Sequence, residues 1–205
     1  MSRKTILLLS ILMAFAALAC KQPAPNMEKK SYPEINYPTP NIEPDSINEL
    51  QGIVLHHTAL PTVEAALREL TRPRGVSSHA VIDTDGTRYI LAPPTAVTYH
   101  AGLSILNGRE RCNFFCLGLE FQGNSVQTPL TPEQIESGVE YLLPIIMEHH
   151  IPLDNIVTHK MVRDNFMHQY PEKSCKPKVD ISSREYARFM DALKAALDSI
   201  QSEDE

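Results

Sequence analysis

Among the eight histidines of the chain, two stand where an apolar, strand-like run stops. His56 follows Ile53-Val54-Leu55, and His159 follows Ile156-Val157-Thr158. Two strands ending on the same edge of a sheet can bring their terminal side chains together. Cys175 lies in Lys173-Ser174-Cys175-Lys176-Pro177, where flanking positive charge lowers a thiol's pKa and favours the thiolate. Two imidazoles and one thiolate make three zinc ligands and leave a fourth position for water, as a catalytic zinc site requires. Taken singly, His57, His79, His149 and His150 are expected to be surface or hydrogen-bonded core residues. Cys112 and Cys116 could pair in an oxidising compartment. In a near-extended chain, however, their Cα atoms exceed the ~7 Å reach of a disulfide, so free buried thiols are expected.

The elements that must carry these groups can be placed from local pattern. Residues 52–56 read as a strand ending at His56, and Thr62 caps a helix running to Leu70. Ser78–Ile82 and Thr87–Leu91 flank Asp83-Thr84-Asp85-Gly86, a hairpin with Asp-Gly at its turn. Cys116–Phe121 alternates as a strand. Thr131-Pro132-Glu133-Gln134 is a helix start, with a cap, a proline at the first helical position and a glutamine reaching back. That helix should run to about His149, bent near Pro144. Ile156–Thr158 is a short strand. Ser182 or Ser183 then caps a last helix from Glu185 to about Ile200, with Tyr186, Phe189, Met190, Leu193 and Leu197 on one face. Strands and helices in mixed order argue for an α/β or α+β fold, a mixed central sheet flanked by helices.

The chain as a whole sets bounds on partners and location. A formal net charge of -6 gives no basic footprint, so nucleic acid is excluded as an expected partner. Arg3 and Lys4 precede an apolar run of about 15 residues, too short to span a bilayer permanently, where about 20 are needed. Cys20 directly follows Ala17-Leu18-Ala19. Residues 1–20 therefore read as an export signal with a lipobox-like Cys20 as the lipidation site, although Ala17 stands where leucine is usual; an Ala-x-Ala signal fits the same residues and would release a soluble exported protein. Residues 21–48 are proline-rich and polar and read as a tether, with Ile35, Tyr37 and Ile42 able to support packing along the domain. The folded domain is then 49–205, at the end of an exported, lipid-anchored chain on the periplasm-facing side of an envelope membrane.

Several runs occur in order: Ile53–Ala59 (IVLHHTA), Ser78–Gly86 (SHAVIDTDG), Tyr99–Gly102 (YHAG), Gly108–Asn113 (GRERCN), Leu117–Gly123 (LGLEFQG) and Val157–His159 (VTH). Together they resemble the type-2 N-acetylmuramoyl-L-alanine amidases, the superfamily that includes peptidoglycan recognition proteins and phage amidases. The stretch from Gly108 to Gly123 is most similar to AmpD-type anhydromuramyl-peptide amidases. The resemblance implies zinc-dependent cleavage between N-acetylmuramic acid and L-alanine, with peptidoglycan or a muropeptide as substrate. It makes His56 and His159 metal ligands. The third ligand of the family is Asp or Cys two residues after a lysine, which fits Cys175, with Lys173 as the oxyanion-stabilising cation. The gap from His159 to Cys175 is long for the family, and Asp164 and His168 inside it are rival ligands. Glu120 matches the proposed general base, and Ser78 stands where other branches carry a catalytic tyrosine. Arg111 resembles the arginine that meets a stem-peptide carboxylate, and His100 and Asn113 fall near the substrate. A secreted lytic enzyme and a non-hydrolysing peptidoglycan-binding module are the alternatives. His56, His159, Cys175, Glu120 and Lys173 occurring together count against the second.

Overall fold

The computed structural model describes residues 31–173 and 180–203. Its centre is β2 (Gly52–His57), buried at every position. A strand flanked on both sides by others and covered on both faces has no solvent side, which explains a continuous apolar run in place of alternation. β2 pairs in parallel with β7 (Cys116–Phe121) and with β8 (Ile156–Thr158). Beyond β7 come β3 (Ala80–Ile82), β4 (Arg88–Ile90) and β1 (Glu34–Asn36), giving a six-stranded mixed sheet in the order β1-β4-β3-β7-β2-β8. Only β3 and β4 are antiparallel within it. They form the hairpin expected around Asp83–Thr87, where Gly86 takes φ +87 and its N–H donates to the Asp83 carbonyl at 2.9 Å. A two-stranded ribbon, β5 (Ile105–Leu106) with β6 (Arg109–Glu110), stands apart.

Strand alternation sorts the helices into two layers. Ile53 and Leu55 of β2, Leu117, Leu119 and Phe121 of β7, and Ala80 and Ile82 of β3 share one core with helices α2 (Pro132–His149) and α4 (Ser183–Glu203). On the opposite face, α1 (Val63–Thr71) packs Val63, Leu67 and Leu70 on Val81 and Leu91. There too α3 (His159–Gln169) sets Val162 against Val54 and Val157. The mixed α/β architecture is as expected from the sequence.

The helix starts follow the expected capping chemistry. Thr62 accepts from the Ala65 N–H at 3.3 Å, and Thr131 with Gln134 forms a complete capping box. α2 runs through Pro144. Among the strands and helices named above, four were not foreseen: β1, α3 and the ribbon strands β5 and β6. The edge strand β1 is only three residues long, and α3 starts at the histidine taken as the end of β8.

The expected tether reaches too far along the chain. Residues 31–48 pack on the domain, with Tyr32, Thr39, Asn41 and Asn48 buried. Their polar side chains bond the domain's backbone: Thr39 Oγ1 to the Leu70 carbonyl at 2.7 Å, and Asn41 Nδ2 to Arg72 at 2.8 Å. Asn48 Nδ2 likewise donates to the Cys116 carbonyl at 3.0 Å. Composition counts apolar surface and misses such bonds. The export signal, Cys20, the first part of the tether and Cys175 lie outside the described residues. Among the described residues no helix is long and apolar enough to cross a membrane.

Candidate metal and catalytic site

The carboxyl ends of β2, β7 and β8 lie together, and a cavity of about 180 Å³ opens beside them. His56 is the last residue but one of β2, on the face that carries Val54. His159 follows β8 directly and is the first residue of α3, whose N-cap Thr158 accepts from the Met161 N–H at 3.2 Å. The two imidazole rings meet edge to face with centroids 5.0 Å apart. Asp180 completes the group. One ligand atom from each of His56, His159 and Asp180 lies within 4.8 Å of the others, and all three residues are buried.

Asp180 is held by main-chain donors. Its carboxylate accepts N–H groups of Lys160 (3.0 Å), His159, His57 and Ile181. Lys160 and His159 form the first turn of α3, so the carboxylate sits where the helix dipole favours negative charge. Burial still prevails over these bonds and raises its pKa from the ordinary 3.8 to about 6. A carboxylate enclosed this way gains most from a cation, and two neutral imidazoles beside it complete a zinc-type ligand set with room for a fourth ligand.

His100 fixes the tautomer of His56. Its Nε2 faces the Cys116 carbonyl at 3.2 Å and so carries the proton, which leaves Nδ1 to accept from His56 Nε2 at 3.1 Å. His56 then keeps Nδ1 as the lone-pair nitrogen that a metal needs. Burial and the neighbouring His79 hold the His100 pKa well below its ordinary value, so it stays neutral. Its ring lies across β7 at Gly118, where an added Cβ would come within 2.6 Å of His100 Cγ. Asn113 holds the loop below: its Oδ1 accepts the N–H of His100 at 3.1 Å and of Ala101 at 2.7 Å. Asn113 thus acts on the site through His100.

Glu120 is paired across the sheet with His56 on one side and Val81 on the other. Its half-buried side chain therefore shares the metal face of the sheet and lines the cavity. Ser78 is buried and donates to the Gly118 carbonyl at 2.8 Å, a structural role.

Other expected residues lie elsewhere. The Lys173 ammonium rests 4.0 Å from the Tyr170 ring centroid and 5.1 Å from that of Phe166, and does not line the cavity. Arg111 is exposed, its guanidinium 4.0 Å over the Phe114 ring. Of the rival ligands, Asp164 is paired with Lys160 and Arg163, which lowers its pKa, and His168 is exposed near the end of α3. His79 is a core histidine, donating to the Ala96 carbonyl at 2.9 Å and accepting from the Gly118 N–H at 2.9 Å; burial takes its pKa down to about 4. Cys112 and Cys116 are free and buried. Asp180 was not foreseen as a ligand, yet its signal is in the sequence. Lys178-Val179-Asp180 repeats the lysine spacing of Lys173-Ser174-Cys175.

The sequence profile of the family described as N-acetylmuramoyl-L-alanine amidase matches residues 46–177. The chain belongs to that amidase family. It is 36% identical over 103 residues to the 1,6-anhydro-N-acetylmuramyl-L-alanine amidase AmpD of Haemophilus influenzae, covering 48% of this chain and 53% of that one. It is 30% identical over 125 residues to the N-acetylmuramoyl-L-alanine amidase AmiD of Escherichia coli, covering 54% and 45%. The amidase chain thus spans about half the length of these curated relatives. The fold agrees. A selenomethionine AmpD structure superposes with a TM-score of 0.61 over 81% of this chain and 97% of that one, at 24% identity. AmiD of Escherichia coli, in complex with anhydro-N-acetylmuramic acid-L-Ala-D-gamma-Glu-L-Lys, superposes with a TM-score of 0.52 over 60% and 53%, at 25% identity.

Proposed function

We propose that this chain hydrolyses the amide bond between N-acetylmuramic acid and L-alanine in peptidoglycan or its soluble fragments, with zinc held by His56, His159 and Asp180. The observation that carries the reading is the buried His-His-Asp cluster with Glu120 in register beside His56, in a member of an amidase family. When bound, zinc supplies a Lewis acid and a coordinated water whose pKa falls toward ~7. The protein's own groups do the rest. Glu120 accepts the proton of the attacking water and returns one to the departing alanine nitrogen, the ordinary division of labour for a positioned carboxylate. His100 keeps the His56 ring turned, and Gly118 and Asn113 keep His100 in place.

A cation that offsets charge on the tetrahedral intermediate completes the reading. Because Asp180 is in the cluster, the lysine at family spacing is Lys178, and Lys173 with Cys175 is the competing assignment. Arg111, exposed over Phe114, is the cation proposed for a stem-peptide carboxylate. Anchoring by an acylated Cys20 and work in cell-wall turnover belong to the same proposal, and replacing Cys20 with Ala should move the protein from membrane to soluble fractions. The deciding test is mass spectrometry of muropeptides before and after digestion by the zinc-loaded protein. Free lactyl-ended glycan together with free stem peptide is the expected product pair. Binding of muropeptides without cleavage would favour the recognition module.

A further inference from the structure

We propose that His57 is a positioning residue that sets the Asp180 carboxylate for metal binding, acting both directly and through Ser125 and Ser182. The inference rests on the metal reading above.

His57 follows His56 on β2 but falls on the opposite face, with Ile53 and Leu55 and beside Phe121 of β7. Its side chain is therefore on the core face of the sheet, while the residue still borders the cavity. Its ring is tied to the loop after β7. The Ser125 N–H donates to His57 Nδ1 at 3.1 Å, so Nδ1 carries no proton, and the Ser125 hydroxyl, 2.9 Å away, donates to the same nitrogen. With its proton committed, Ser125 Oγ accepts from the Ser182 N–H at 2.9 Å. The His57 main-chain N–H donates to the Asp180 carboxylate. The segment from Asp180 to Ser182 is thus gripped at both ends by one residue.

The cost side points the same way. With Nδ1 accepting, the neutral ring bears its proton on Nε2, which is buried and has no hydrogen-bond partner among the described residues. A buried unpaired donor costs about 1–3 kcal/mol. A leucine or isoleucine on this apolar face, as at positions 53 and 55, would avoid that. What the imidazole offers in return is the Nδ1 acceptor, and among the described residues that acceptor serves only the Ser125–Ser182 connection. A local rule broken in this way marks a functional position more often than an error.

The test is zinc affinity of the full chain, read by competition with a chelator, beside the unfolding midpoint of the metal-free protein. His57→Leu and Ser125→Ala should each weaken zinc binding by about 10–100-fold, the scale for groups that orient ligands. His57→Asn, whose amide oxygen falls near the place of Nδ1, should keep affinity within a few-fold of wild type. Wild-type zinc affinity in a folded His57→Leu or Ser125→Ala protein overturns the proposal, as does a lower midpoint with unchanged affinity, the mark of a purely structural role. If His57→Leu fails to fold, Ser125→Ala decides. A wild-type chain that binds no zinc at all would instead overturn the metal reading.

Discussion

Replacing Asp180 with Asn gives a sharp test, because two consequences of one geometry can be read separately. The folded carboxyl titrates at about 6 against an ordinary 3.8. A folded pKa above the unfolded one means that the native protein holds this proton more tightly than the unfolded chain does. The group's contribution is therefore most favourable at low pH and is lost as pH rises through the window from 3.8 to about 6. The size of that loss is about 3 kcal/mol; any grip of the Lys160, His159, His57 and Ile181 N–H groups that the asparagine gives up is a constant offset between the two proteins and leaves the pH dependence unchanged. Chemical denaturation of metal-free wild type and Asp180→Asn across pH 4 to 8 would isolate the effect as a difference curve. Other groups that titrate in the same range largely cancel. The variant should gain on the wild type as pH rises, and the gain should level off above about pH 6. In the same samples, zinc should raise the wild-type midpoint and leave the variant unmoved. Zinc affinity of the wild type should itself weaken below about pH 6, where protons compete for the carboxylate. Parallel stability curves for the two proteins, or stoichiometric zinc in Asp180→Asn, would refute the reasoning.

Three further expectations follow from the same site. Glu120→Gln keeps shape and removes basicity, so it should retain zinc while losing roughly 10²-fold or more in kcat; near wild-type turnover would place the base elsewhere. Gly118→Ala puts a methyl within 2.6 Å of the His100 ring, and should cost about 1–3 kcal/mol of stability as an overpacking change. Its NMR signature should be a displaced His100 resonance; an unperturbed His100 would sink the packing argument. Lys178→Met should lower kcat with little change in zinc content, and Lys173→Met should leave kcat near wild type. The reverse order would restore the Lys173–Cys175 assignment.

Much of the fold was legible because its signals are local. The Asp83–Gly86 turn, the Thr131–Gln134 capping box and the apolar runs of β2 and β7 each draw on neighbours a few residues away, and the structure has each of them in place. β1 and the packing of residues 31–48 were not legible, because Thr39, Asn41 and Asn48 bond to backbone contributed by distant parts of the chain. α3 escaped notice because Met161, Val162, Phe166 and Met167 are its few apolar residues. Its importance lies in its first turn, whose N–H groups hold Asp180.

For the site, the sequence alone marked His56 and His159, since a histidine that ends an apolar strand-like run is visible without knowing what lies across from it. Glu120 was marked by the family resemblance, and its place along β7 sets its face of the sheet. The sequence did not choose between carboxylate and thiolate as the third ligand. Lysine spacing offers Asp180 and Cys175 equally, and the length of chain after His159 says nothing about where that chain returns. The tertiary structure brings Asp180 to the first turn of α3 and to the end of β2, at the point where β2 and β8 present their histidines. It likewise decided the standing of His57. Adjacent histidines in a sequence look alike, but on a strand they lie on opposite faces of the sheet, one on the face of the metal cluster and the other on the core face, bonded to the loop that holds the site in position.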